Sequence, residues 1–270
     1  MEKAKVLYIA QEITPYLPEN HMSKLARYLP QGIQEKGKEI RTFMPRYGKI
    51  NERRNQLHEV IRLSGMNLII NDTDHPLIIK VASIQAARMQ VYFIDNEEYF
   101  QRKAVLKDKD GKYFEDNDER AIFFARGVLE TVKKLRWSPD IIHCHGWITS
   151  LIPLYIKKLY KDNPLFNDAK IVYSLYDDDF APALDAQFHK KLTDEGFDKS
   201  DIEHIASNPD FANLMKLAVD KSDGVIKGAG EINNDVEAYA KGEKKDFLDY
   251  QDEDTYVDAY NDFYDKMLNT

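Results

Sequence analysis

The chain has 270 residues, 43% hydrophobic and 31% charged, the balance of an ordinary globular protein that buries a sizeable core as one large domain or two small ones. A formal net charge of −8, with no basic stripe interleaved with aromatics, argues against a nucleic-acid partner, and no apolar run approaches a membrane span. The lone cysteine, Cys144, excludes an internal disulfide and suits a reducing cytoplasm; the N-terminus does not read as a signal peptide, because its short apolar run soon meets Gln11 and Glu12.

Residues 6–10 form a short apolar run of the kind a buried parallel strand shows. A polar loop with Pro15 and Pro18 follows, and then Met22, Leu25, Ala26, Leu29 and Ile33 recur at helical spacing until Gly37 supplies the stop. Ile40, Thr42, Phe43 and Met44 make the next strand, closed by Pro45. In an open parallel sheet ligands bind beyond the carboxyl ends of the strands, which places a first-strand site over residues 11–21. Residues 48–57 read as a basic surface loop, followed by strand-like runs at 60–63, 68–70 and 77–82. Asn71-Asp72-Thr73-Asp74 is turn chemistry, so the last two of these runs should pair as a hairpin.

Another strand is expected at 91–94, and a charged stretch at 103–115 leads to a long helix capped near Asp116 or Asp118. Its Ile122, Phe123, Ala125, Val128, Leu129 and Val132 form one wide apolar face. Residues 141–145 and 171–175 read as further buried strands, with a helix over 147–160 between them. The signal weakens over 176–210, then returns as a helix at 211–219, a short strand at 224–226 and a helix at 232–239. The last stretch, 243–270, is acidic, yet Tyr256, Tyr260, Phe263, Tyr264 and Met267 fall on one helical stripe.

Two clusters invite chemistry. His143 and His145 share a strand face by alternation, but no third metal ligand stands at a telling spacing, and Cys144 between them reads as a small hydrophobe. Asp177-Asp178-Asp179 suggests either a divalent-metal site or a solvated loop, and the charge run favours the loop.

Several ordered segments carry a resemblance: Gln11-Glu12-Ile13-Thr14-Pro15 through Leu29-Pro30, then Met44-Pro45-Arg46-Tyr47, Asp95-Asn96-Glu97-Glu98-Tyr99-Phe100, Phe123-Phe124-Ala125-Arg126 and His143-Cys144-His145-Gly146-Trp147. Together they resemble the bacterial glycogen synthase and plant starch synthase family, glycosyltransferases with two facing Rossmann-like domains. The resemblance implies an α/β fold, a doubly wound Rossmann-like parallel sheet equivalent to the N-terminal half of a GT-B fold. That domain would span 1–242, with an acidic link and a crossover-like helix over 243–270. The family's second domain would be lost between about 242 and 253.

The resemblance also marks the cleft positions as candidate substrate-binding residues: Pro18, Glu19, Asn20, His21, His145, Gly146, Trp147, Tyr176 and Asp177. The frame is kept while its chemistry changes. The family's lysine and paired glycines, which meet the nucleotide sugar, give way to Pro18-Glu19-Asn20-His21, with Lys24 one turn on. A carboxylate such as Glu19 facing a pyrophosphate costs about one to several kcal/mol. Gly146 replaces the family's cleft aspartate, while Tyr176 and Asp177 replace its sugar-binding histidine and the following asparagine.

No catalytic residue, metal or cofactor is assigned, and whether the chain is an enzyme stays open. The leading expectation is a homologue of the synthase N-terminal catalytic domain in the cytoplasm, without glucosyl transfer of its own, that binds α-glucan or a glycogen-metabolism protein. The alternative is a glucosyltransferase using ADP-glucose or UDP-glucose, completed by a separate donor-binding subunit. A third is an unrelated small-ligand module using Glu19 and His21.

Overall fold

The computed structural model describes residues 3–269. Its strands are β1 (Lys5–Ala10), β2 (Glu39–Pro45), β3 (His58–Glu59), β4 (Met66–Ile70), β5 (Thr73–Ile84), β6 (Met89–Asp95), β7 (Ile141–His145), β8 (Lys170–Leu175), β9 (Gly224–Lys227) and β10 (Asp246–Leu248). The helices are α1 (His21–Glu35), α2 (Glu97–Phe100), α3 (Asn117–Leu135), α4 (Leu151–Lys158), α5 (Phe188–Asp194), α6 (Glu203–Ala206), α7 (Phe211–Lys221), α8 (Asn234–Gly242) and α9 (Tyr256–Leu268).

The sheet runs β10-β9-β8-β7-β1-β2-β6-β5-β3, parallel from β10 to β6 and antiparallel beyond, with β4 paired to β5. The chain builds outward from β1 through β2 to the antiparallel edge, comes back to set β6 beside β2, then returns to β7 and builds the other way. The order therefore reverses between β1 and β7, and an open α/β sheet has its ligand crevice at such a reversal. The β4–β5 hairpin forms as expected, its turn placing Asn71 and Asp72 at φ 49° and 61°, a conformation these residues tolerate. Residues 60–63 form a turn rather than the expected strand, because the Leu63 and Ser64 amides both fold back onto the Val60 carbonyl. β10 was not foreseen: three residues within an acidic stretch give too short a pattern.

Strand alternation sorts the core into two. Leu7, Ile9, Ile142, Cys144, Ile171 and Tyr173 face the layer built on α3, α4 and α7. Val6, Tyr8, Ile141, Val172 and Ile226 face α1 and α9. The α9 stripe is buried at Tyr260, Phe263, Tyr264 and Met267, and half-buried at Tyr256. Gly32 and Gly224 make room for it, since a Cβ would lie 2.6 Å from Val257 at the first and 2.9 Å from Met267 and Phe263 at the second. Lys38, which is 9% exposed, donates to Asn261 and pairs with Asp265, both at 2.7 Å, fixing the helix at its polar edge.

Candidate functional site

The crevice at the reversal is built from the ends of β1 and β7 and the start of α1. The Gln11 amide donates to the His145 carbonyl at 2.9 Å, and its side-chain oxygen accepts from the Ile148 amide at 3.2 Å, so the two strand ends are clamped together. Gly146 follows at φ +88° and ψ 157°, a region essentially reserved for glycine. A Cβ there would stand 2.8 Å from Gln11 Cβ and 3.0 Å from Met22 Sδ. The glycine in place of the family's aspartate is thus a packing requirement here, and the crevice floor is closed by Gln11 and Met22. Restoring the carboxylate with Gly146→Asp is expected to destabilise the fold by about 2–5 kcal/mol, from backbone strain and overpacking combined. An unchanged urea midpoint would contradict this.

Above that floor the loop 11–20 is tied up in its own structure. Asn20 caps α1, accepting from the Ser23 amide at 2.8 Å while the Ser23 hydroxyl returns to the Asn20 amide at 2.9 Å. Its side-chain amide donates to Glu12 at 2.6 Å. Pro18 and Glu19 are exposed at the helix entrance. His21 Nε2 donates to the Gly228 carbonyl at 2.7 Å, bringing the start of α1 to the end of β9. Lys24 does not wait for a phosphate; it pairs with Glu253 at 2.6 Å.

His21 and Gly228 cover Tyr176. A Cβ on Gly228 would be 2.9 Å from Tyr176 Cζ, and Tyr176 is 2% exposed. Its hydroxyl pairs with His145 Nδ1 at 2.8 Å, turned into the core. His143 is satisfied on both nitrogens, by Tyr264 at 2.5 Å and Ser174 at 2.7 Å, so neither is free to ligate a metal. The two imidazole rings lie 3.9 Å apart, and burial holds both neutral, His145 with its pKa lowered to about 3. Burial likewise pushes the Cys144 thiol up, which leaves it an inert hydrophobe.

The structure therefore brings His145 and Tyr176 together as a buried plug beneath the cleft, with the exposed ring of His21 set over it and Gly146 beside it. Trp147, expected to line the cleft, is 1% exposed and packs on Phe180 at 4.8 Å. Asp177 is exposed and stands apart.

The residue that sequence reasoning missed is Asp178. It does not lie in a solvated loop: one oxygen accepts from the Trp147 amide at 2.8 Å, and the other is buried without a partner. Burial pushes its carboxyl up to about 7, with the neighbouring aspartates adding to the rise and the Trp147 amide opposing it. The parallel register pairing His145 with Ser174 places the residues after both strands at one edge, the signal that could have found it.

The same edge carries an aromatic groove of about 400 Å3 between Tyr113, Phe114 and Phe180, rimmed by Glu115 and Asp185. Tyr113 meets Phe180 edge-on at 6.3 Å, and Phe180 in turn rests on Trp147 and Phe211. Apolar ring faces with acceptors at the rim suit a ligand that has both CH faces and hydroxyls.

Residues 5–263 match the family model of the starch synthase catalytic domain. The chain is 40% identical over 173 residues to a glycogen synthase of Chlorobium limicola, covering 64% of this chain and 35% of that one. It is 38% identical over 220 residues to the glycogen synthase of Chlorobium luteolum (81% and 44%), and 30% identical over 256 residues to that of Chlorobium phaeovibrioides (88% and 52%). It spans about half or less of these relatives. The catalytic domain of starch synthase IV from Arabidopsis thaliana, solved bound to ADP and acarbose, shares the fold at a TM-score of 0.74 and 18% identity over 94% of this chain and 53% of that one.

Proposed function

Because the chain belongs to the starch synthase catalytic domain family, we propose that residues 1–270 bind α-glucan without transferring glucose by themselves. The observation that carries this reading is the orientation of Tyr176. At the position where the family presents a sugar-contacting histidine, its hydroxyl is spent on buried His145, with Gly228 and His21 packed over the ring. A group so enclosed cannot touch a transferred sugar. The loop before α1 offers Glu19 where a donor pyrophosphate would need a cation, and the nearby Lys24 is already neutralised by Glu253. The aromatic groove of Tyr113 and Phe180 at the same edge retains the character of an acceptor surface.

A second reading is favoured by Asp178, a carboxyl held near neutrality at this edge. It is a transferase completed by a separate donor-binding polypeptide. The first reading is tested by labelled-glucose incorporation into glycogen from ADP-glucose and UDP-glucose, alongside retardation in glycogen-containing native gels. The purified chain should be retarded by glycogen, show no incorporation above a no-protein control, and bind ADP-glucose no tighter than about 100 μM. Turnover by the chain alone that is lost in Asp178→Asn would overturn the first reading.

A further inference from the structure

We infer that a second sugar-binding site lies in the cavity of about 280 Å3 between α1 and residues 251–256, a reading that rests on the glucan-binding proposal above. Leu25 lines it with an apolar side chain, and the Tyr28 and Tyr256 rings stand beside it. Tyr28 is 45% exposed and Tyr250, whose ring lies 6.0 Å from that of His21 at the cavity edge, is 39% exposed; both are among the few large hydrophobic side chains left in solvent. Arg27 sits over the Tyr28 ring at 4.9 Å, which orients it.

The charges of this cavity are already satisfied. Lys24 pairs with Glu253, and Asp252 accepts from the amides of Asp254 and Thr255 and from the Thr255 hydroxyl, at 3.1, 3.0 and 2.7 Å. What remains unpaired is neutral. Among the described residues the hydroxyls of Tyr28, Tyr250 and Tyr256 have no hydrogen-bond partner. His21 donates through Nε2 to Gly228, which leaves Nδ1 as an acceptor. An anion would meet Asp252 and Glu253; a cation would meet Lys24. Aromatic walls with free hydroxyls and a ring nitrogen suit a neutral ligand with a CH face and many hydroxyls, a glucose unit of an α-glucan chain.

The test is calorimetric titration of the intact chain with maltoheptaose, in the wild type and in Tyr28→Ala, Tyr28→Phe and Tyr113→Ala. Tyr28 is exposed enough that its loss should leave the fold unchanged, which an unaltered melt would verify. Tyr28→Ala should weaken binding roughly tenfold, and Tyr28→Phe, which keeps the ring face, only about two- to threefold. Tyr28→Ala binding as tightly as wild type, with affinity lost in Tyr113→Ala, would overturn this site and leave the glucan reading standing. No maltoheptaose binding by the wild type would overturn both.

Discussion

A chain ending at Asp254, which lacks only α9, is expected to be insoluble or to lose its cooperative melt. Four side chains of that helix, Tyr260, Phe263, Tyr264 and Met267, are between 0% and 7% exposed. At about 1.5–3 kcal/mol for each buried side chain, their loss removes roughly 6–12 kcal/mol, comparable with the whole stability of a typical domain. The damage exceeds the area lost. Without α9 the rings of Tyr8 and His143 face water on an apolar sheet, and His143 loses Tyr264 as a hydrogen-bond partner. A milder version keeps the protein in solution: Tyr264→Ala should cost about 3–5 kcal/mol and lower the melting temperature by roughly 6–15 °C. A soluble truncated chain with an unchanged melt would show that the helix contributes nothing to the fold.

The sequence made the α9 stripe legible because its spacing is helical and its residues are large, whereas the acidic residues between them face solvent. It also made the parallel core legible, since β1 and β8 are mostly apolar runs that only a sheet covered on both faces can bury, and β7, despite its two histidines, is buried at every position. The chemistry of the site was harder to read. Whether Tyr176 looks outward or inward is decided by Gly228, some fifty residues later, and by His145 on the neighbouring strand. No local pattern encodes that. Gly146 looked like a lost carboxylate because the family frame supplied the comparison; only its φ of +88° and the proximity of Gln11 and Met22 reveal it as a steric necessity. Asp178 was hidden in a run of three acids whose outer members are exposed, so that charge density masked the one that folds inward. Family resemblance located the edge, and packing decided what stands there.

The two neutral histidines should make stability fall in acid. In the unfolded chain a histidine takes its proton near pH 6.5, whereas folded His145 resists until about 3 and His143 is held well below the usual range. Between those limits the unfolded state binds more protons, so their contribution is fully present above pH 6.5 and declines as pH falls, by up to about 1.4 kcal/mol per unit for each histidine. Two carboxyls slope the other way. Burial raises Asp178 to about 7 and Asp118 to about 6, so the stability they confer is present below the ordinary aspartate pKa and lost as pH rises through those values. The wild-type profile is therefore a partial cancellation, and the histidine effect is read by difference. His145→Gln can still meet the Tyr176 hydroxyl but takes up no proton. From pH 7 to pH 5 the wild type should lose about 2 kcal/mol relative to this variant, measured by urea unfolding at each pH. Asp178→Asn should tilt the difference in the opposite sense, most steeply between pH 5 and pH 7. Parallel curves for wild type and His145→Gln would mean that the folded protein already accommodates a proton on that ring, and the buried His145–Tyr176 plug would then have to open in acid.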